Sequence, residues 1–121
     1  MQTVCGMTEF PQRGEIYLVR LPDHPRDRKT RPALVVSLDV RNRLAFDVLV
    51  VPLNTTLREA PTHVRIAQGE GGLDHVSMAK CEQLTTLDKG FLLRGPFAGR
   101  VPDATMIDIE HAIMRAIGIV V

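Results

Sequence analysis

The sequence predicts a mainly β domain: a small, strongly curved antiparallel sheet or partly closed barrel, with a single helix packed at one end. Five or more short β-branched runs are separated by Gly- and Pro-containing loops, and only the C-terminal stretch carries a helical period. A length of 121 residues with 45% hydrophobic and 24% charged residues supports one self-sufficient core and excludes a disordered or fibrous chain. The boundaries expected are one domain over 12–121 and a flexible lead-in over 1–11.

The elements follow in order. Glu15 to Leu21, opened by Gly14 and closed by Pro22, reads as a strand. The segment from Pro22 to Pro32 holds three prolines and many charges and reads as a loop. Ala33 to Ser37 and Phe46 to Val51 are apolar runs expected to form two buried neighbouring strands, with Asp39 to Arg43 as the polar turn between them. A second loop from Pro52 to Pro61 leads into Thr62 to Ile66, whose alternation marks a half-exposed strand. Ser77 to Cys81 and Glu82 to Thr86 read as extended structure with a bend or bulge between them, and Gly95 to Arg100 as another short strand. Ile109, Ala112, Ile113, Ala116 and Ile117 form the one apolar helical stripe, expected to serve core or dimer packing. Pro102 and Asp103 suit its start, Arg115 its last turn and Gly118 its C′ position.

Composition removes several classes of chemistry. Fifteen Lys and Arg against fourteen Asp and Glu give a net charge of +1, too small for a protein that coats a polyanion through its overall field. With no Trp, one Tyr and four Phe, an aromatic platform for stacking successive bases is hard to build. Cys5 and Cys81 show no CxxC spacing, so neither a disulfide scaffold nor a thiolate zinc site is expected. His24, His63, His75 and His111 lack HxH or HxxxH pairing, which leaves no metal site to expect. Cys81 sits in an apolar run and reads as a small buried hydrophobe, not as the nucleophile of a Cys–His pair. No Walker A, GxGxxG or GxSxG motif occurs. Met1 to Pro11 has neither a positive n-region nor an apolar run, and nowhere do eighteen apolar residues follow one another; a cytoplasmic protein with no membrane partner is expected.

Charge placed in loops is the remaining signal. Arg20, Arg26, Arg28, Lys29 and Arg31 against Asp23 and Asp27 give the first loop a local +3. Pro32 restricts the Arg31 backbone to extended conformations at the edge of a buried strand, and a pre-positioned cation of this kind suits phosphate handling. Asn54, Thr55 and Thr56 leave the neighbouring strand, and if the strands pair the two loops converge. Asn54 and Thr55 equally suit satisfaction of the turn's own backbone groups.

In order, Arg13-Gly14-Glu15-Ile16-Tyr17, Arg31 to Ser37, Val51 to Thr55, Pro61-Thr62-His63-Val64, Ser77, Glu82-Gln83-Leu84, Thr86 to Lys89, Gly99-Arg100 and the closing amphipathic helix resemble the MazF/PemK toxins of bacterial toxin–antitoxin pairs. The match runs from about residue 12 to the end. It implies an SH3-like, partly closed antiparallel barrel of the MazF/PemK/CcdB type, acting as a homodimer. It also implies a sequence-specific, metal-independent endoribonuclease that cleaves single-stranded mRNA by 2′-hydroxyl attack, needs no cofactor, and is neutralised by a cognate antitoxin whose disordered acidic tail covers the RNA groove. Arg31 matches the family's essential arginine. Asn54 stands where the family has a key threonine, so Thr55, one residue on, is expected to take that role, with Asn54 the alternative. Arg26 replaces a common acidic residue, for which Asp27 is the candidate substitute, and Thr85 replaces a common arginine. Arg26, Arg28, Lys29, Ser37, Thr56, Arg58, Ser77 and Gln83 complete the expected RNA contacts. The rival is a non-enzymatic, CcdB-like gyrase poison on the same fold; those act through an apolar, aromatic C-terminal end, and Gly118-Ile119-Val120-Val121 lacks the aromatic.

Overall fold

Three strands, β1 (Ile16–Arg20), β2 (Thr30–Val35) and β3 (Asp47–Asn54), form an antiparallel meander that organises the chain in the computed structural model, which describes residues 10–22 and 30–121. Residues 1–9 of the expected lead-in and residues 23–29 of the first loop lie outside the described residues; Pro11 is already buried. The meander is apolar on both faces. Ile16, Leu34, Val36, Val51 and Leu53 enter one core, while Tyr17, Val19, Ala33, Val35, Val48 and Val50 enter another. Strands buried on both faces read as continuous apolar runs, which is why these segments show no alternation.

The remaining strands attach to its outer edges. Strands β4 (His63–Ile66) and β5 (Ser77–Lys80) form a hairpin whose β5 pairs with the end of β3, as Leu53 with Ala79 and Asn54 with Met78. Strand β6 (Thr85–Asp88) pairs with the beginning of β3, Asp47 to Val50, on the same edge. Pro52, which lacks an N–H, falls in the gap between these two pairings. Strand β7 (Leu92–Arg94) pairs with β1 on the opposite edge, through a register shift at Leu18 and Val19. All pairings are antiparallel, and the path β4-β5-β3-β2-β1-β7 is not closed on itself. The expected mainly β fold, a partly closed antiparallel sheet with a C-terminal helix, is the one observed.

Helix α2 (Asp103–Ala116) packs Met106, Ile109 and Ala112 on the first core. Gly118 at φ +91° ends it in a Schellman arrangement, in which Gly118 N–H donates to the Arg115 carbonyl at 3.0 Å and Ile119 N–H to the Met114 carbonyl at 2.8 Å. The stripe read from sequence is buried only in its first half, for Ala116 and Ile117 are exposed. Arg13 joins three elements: its N–H donates to Asp39 Oδ1 at 2.7 Å, and its guanidinium bonds the Val36 carbonyl and pairs with Glu110 of α2.

Four local expectations are corrected. Asp39 to Arg43 is not a turn but the short helix α1 (Asp39–Leu44), held because buried Asn42 donates to the Ser37 carbonyl at 2.9 Å and accepts from the Ser37 hydroxyl. Phe46 lies outside β3 and is exposed, while β3 runs on through Pro52, Leu53 and Asn54 because β5 extends its ladder. Glu82 to Thr86 is extended only from Thr85, where β6 begins, because the bend expected after Cys81 is a 3-10 turn over Cys81–Gln83. Gly95 to Arg100 is not a strand: Gly95 adopts φ +141° with its backbone against Tyr17, and a Cβ there would lie 2.7 Å from the ring. Pro96 lacks an N–H to continue a ladder.

Because Ile109 has no exposed surface and joins α2 to the sheet, Ile109→Ala is expected to cost about 3 kcal/mol in urea unfolding at unchanged m-value.

Candidate functional site

The site lies where β2 begins and β3 ends. Ala33 pairs with Pro52, and continuing that antiparallel register by two residues sets Arg31 opposite Asn54. Directly opposite residues share a face of the sheet, and both line one cleft of about 160 Å³ with Leu21, Pro52, Leu53, Lys80 and Gln83. Arg31, at the end of the first predicted loop, and Asn54, at the start of the second, therefore meet, beside the 3-10 turn that carries Gln83. Lys80 was not anticipated; its signal is that it is the single charge in Ser77-Met78-Ala79-Lys80. Arg31 is half-buried at the second position of β2, and Pro32 follows it in extended backbone.

Asn54 is committed in part to the chain's own backbone. Its Oδ1 accepts from the Thr56 N–H at 2.7 Å, as the turn reading anticipates. With the oxygen used, the Nδ2 group is what remains to offer a ligand, so the cleft presents a cationic guanidinium, an ammonium and amide donors. That set suits an anion.

Thr55 is exposed and faces elsewhere. It lines a larger groove of about 590 Å³ with Pro32, Asp74, His75, Ser77, Arg94 and Phe97. The Arg94 guanidinium lies 6.0 Å from the Phe97 ring centroid. Asp74, His75, Arg94 and Phe97 were not anticipated, because the strand was expected after Arg94 instead of ending on it. Ser77 contributes little polar surface: it is buried and its hydroxyl donates to the His75 carbonyl at 3.1 Å.

The other expected contacts separate from these two cavities. Ser37 is corrected outright; it is 4% exposed, its hydroxyl donates to Asn42 and accepts from the Leu49 N–H at 3.0 Å, so it is a structural link and not a ligand contact. Thr56 and Arg58 are exposed in the loop after β3 and line neither cavity. Arg26, Arg28, Lys29 and Asp27 lie outside the described residues.

The loop after β3 and the Cys81–Gln83 turn, which adjoin the small cleft through Asn54 and Gln83, are tied together. The His63 ring faces the Arg58 carbonyl at 2.7 Å through Nδ1 and Glu82 Oε2 at 3.0 Å through Nε2, and the Thr62 hydroxyl donates to Glu82 Oε1 at 3.0 Å. Cys81 N–H donates to the Thr62 carbonyl at 2.9 Å. Cys81 itself is 1% exposed, and burial, with the nearby Glu82 charge, pushes its thiol up to about 12. A thiol so protonated is no nucleophile at neutral pH. Among the described residues, no three His, Cys, Asp or Glu side chains converge as metal ligands.

Comparison with known proteins adds relatives to this geometry. The family model describing the PemK-like, MazF-like toxin of type II toxin–antitoxin systems matches residues 12–117. The curated endoribonuclease MazF4 of Mycobacterium tuberculosis strain H37Rv is 34% identical over 109 residues, spanning 90% of this chain and 94% of that protein. A solved endoribonuclease from a mycobacterial species is 34% identical, with TM-score 0.73 over 90% of this chain and 92% of the other. A mycobacterial endoribonuclease in complex with its cognate antitoxin is 32% identical, with TM-score 0.77 over 92% of this chain and 98% of the other.

Burial and the raised thiol together predict that iodoacetamide at pH 8 leaves Cys81 unmodified in the native protein and alkylates it after unfolding in urea, as read by peptide mass mapping.

Proposed function

This chain belongs to the PemK-like, MazF-like toxins of type II toxin–antitoxin systems, and from that membership we propose that it is an endoribonuclease toxin cutting single-stranded mRNA at a short sequence without a metal ion. The observation that carries the reading is the cross-strand placement of Arg31 and Asn54 on one anion-suited cleft, with Lys80 and Gln83.

In such a reaction the 2′-hydroxyl attacks the adjacent phosphorus in line. The new 2′-O–P bond forms as the P–O5′ bond breaks, the 2′ proton leaves, and O5′ takes up a proton, giving a 2′,3′-cyclic phosphate and a 5′-hydroxyl. The protein's contribution is alignment, proton movement and stabilisation of charge on the phosphoryl oxygens. Arg31 is assigned the charge, since a guanidinium keeps its proton and offers a planar fork to phosphate. Asn54 supplies an amide donor on the same face. Thr55, one residue on, stands over the larger groove and keeps the assignment of the family threonine, in contact with the neighbouring nucleotide. Ser77 lines that groove too, and Thr56, Arg58 and the basic residues Arg26, Arg28 and Lys29 are assigned to the backbone of the RNA beyond it.

The partners proposed are a cognate antitoxin and a second copy of the chain. A homodimer agrees with the exposed apolar side chains of Leu38, Val40, Leu44 and Phe46 and of Ile117, Ile119, Val120 and Val121. No helix among the described residues is long and apolar enough to cross a membrane. The cytoplasm, where mRNA is translated, is the proposed site of action.

Purified protein incubated with a long RNA in EDTA is expected to give discrete cuts ending in cyclic phosphate, mapped by primer extension. Arg31→Ala is expected to lower kcat by about 10²–10³-fold, the usual effect of deleting one oxyanion donor; cutting at the wild-type rate would sink the reading, and gyrase-dependent DNA breaks without RNA cleavage would establish the rival. Thr55→Ala and Asn54→Ala, measured side by side, divide the threonine role: a loss of about 10²-fold in Thr55→Ala that Thr55→Ser restores assigns it to the hydroxyl.

A further inference from the structure

The loop after β3 begins at the candidate site and ends at His63. Thr55 to Glu59 are exposed, and this stretch is tied by the Asn54 turn at its start and by the His63 ring at the Arg58 carbonyl, while Arg115 and the Cys81 N–H hold Pro61 and Thr62 further on. The Glu59–Arg65 ion pair at 3.2 Å is exposed on both sides and adds little. The His63 side chain, by contrast, is 7% exposed. It bonds the loop at the Arg58 carbonyl and the Cys81–Gln83 turn at the Glu82 carboxylate, so a single ring joins the loop that follows Asn54 to the turn that carries Gln83, and both of those residues line the cleft that holds Arg31.

The chemistry of the two partners sets the protonation of the ring. A carbonyl oxygen and a carboxylate both accept and neither donates, so both bonds exist together only when both ring nitrogens carry protons. In the neutral ring one nitrogen turns a lone pair toward an acceptor, and that bond is lost. We propose that His63 is a positioning residue for RNA cleavage: donating from both ring nitrogens, it fixes the loop that follows Asn54 and carries Thr55 against the turn that presents Gln83. This rests on the endoribonuclease reading above.

The surrounding charges agree with it. The bond to the Arg58 carbonyl raises the His63 pKa above its ordinary 6.5; burial works against this, the Glu82 hydrogen bond and charge add to it, and Lys80, opposite His63 on β5, opposes it. For Glu82 burial acts upward but is outweighed by hydrogen bonds from His63, from its own backbone and from Thr62, which with the imidazolium charge hold the carboxyl below 4.5. From α2, Arg115 donates to the Pro61 carbonyl at 3.4 Å. Because the folded His63 value is raised, its stabilisation is complete below pH 6.5 and is lost as pH climbs through the raised value; because the Glu82 value is lowered, its share is present above pH 4.5 and lost as pH falls through the lowered value. The clamp is closed between those limits.

Single-turnover cleavage of a long single-stranded transcript by wild type, His63→Gln and Glu82→Gln tests the proposal, beside binding of an oligonucleotide made uncleavable by 2′-deoxy substitution at a mapped cut site. His63→Gln is expected to cut at least about tenfold more slowly at pH 6 while binding the oligonucleotide within about threefold of wild type, the pattern of lost alignment. Glu82→Gln keeps an acceptor for Nε2 and is expected to fall between the two. The wild-type advantage over His63→Gln should shrink as pH rises through the His63 titration, followed by ¹⁵N NMR of the ring, which should show both nitrogens protonated at pH 6. Equal rates in wild type and both variants, a rate loss matched by lost binding, or a singly protonated ring at pH 6 overturns the clamp while leaving the nuclease reading standing. A wild type that cuts no RNA overturns the nuclease reading, and the positioning role falls with it.

Discussion

Three residues, Lys89–Phe91, force the shape of this molecule. They connect β6, on the outer edge of β3, to β7, on the outer edge of β1. In a flat sheet those two strands would lie four strand spacings apart, about 19 Å. The four Cα steps from Asp88 to Leu92 reach at most about 14 Å. The meander must therefore curl until its outer edges approach each other, and Leu87 and Leu92 meet in the same core. That curl gives β1, β2 and β3 a buried concave side. Helix α2 and the β4–β5 hairpin cover the other.

The site follows from the same curvature. Strand β3 has two edges and three partners: β2 on one side, β6 and then β5 on the other. The change from β6 to β5 needs an irregular connection, and the Cys81–Gln83 turn supplies it. This turn places Gln83 over the cleft and gives Glu82 to His63. The beginning of β2 and the end of β3 carry polar side chains that escape the two cores, and Arg31 and Asn54 stand there. Arg13 performs the matching task at the far end of the meander, where its bonds to Asp39, the Val36 carbonyl and Glu110 hold α1, the residue that follows β2, and α2 together.

Much of this was readable in the sequence, and the failures have local causes. The strand runs from Ile16, Ala33 and Val48, and the helix start and Gly118 stop, were visible because hydrophobic burial and helix capping leave short-range marks. Asp39 to Leu44 looks like a polar turn because its helix is held by tertiary bonds from Ser37 and Arg13 that no local pattern records. Ser37 looked like a site residue because a hydroxyl after a strand gives no sign of whether it faces solvent or a buried asparagine. The meeting of Arg31 and Asn54 at one cleft needs the β2–β3 register, which composition does not carry. Lys80, Asp74, His75, Arg94 and Phe97 come from three separate segments, and only the curl of the sheet brings them to the two cavities.

A meander packed on both faces also constrains how such a protein can diverge. Every inward residue of β1, β2 and β3 touches one core or the other, so substitution there disturbs packing before it alters recognition. The rim is different: Thr55, Asp74, His75, Arg94 and Gln83 are exposed and sit on loops, turns or strand ends. A side chain exchanged at the rim leaves both cores untouched, so the chemistry lining the two cavities can be altered one residue at a time while the curled sheet stays the same.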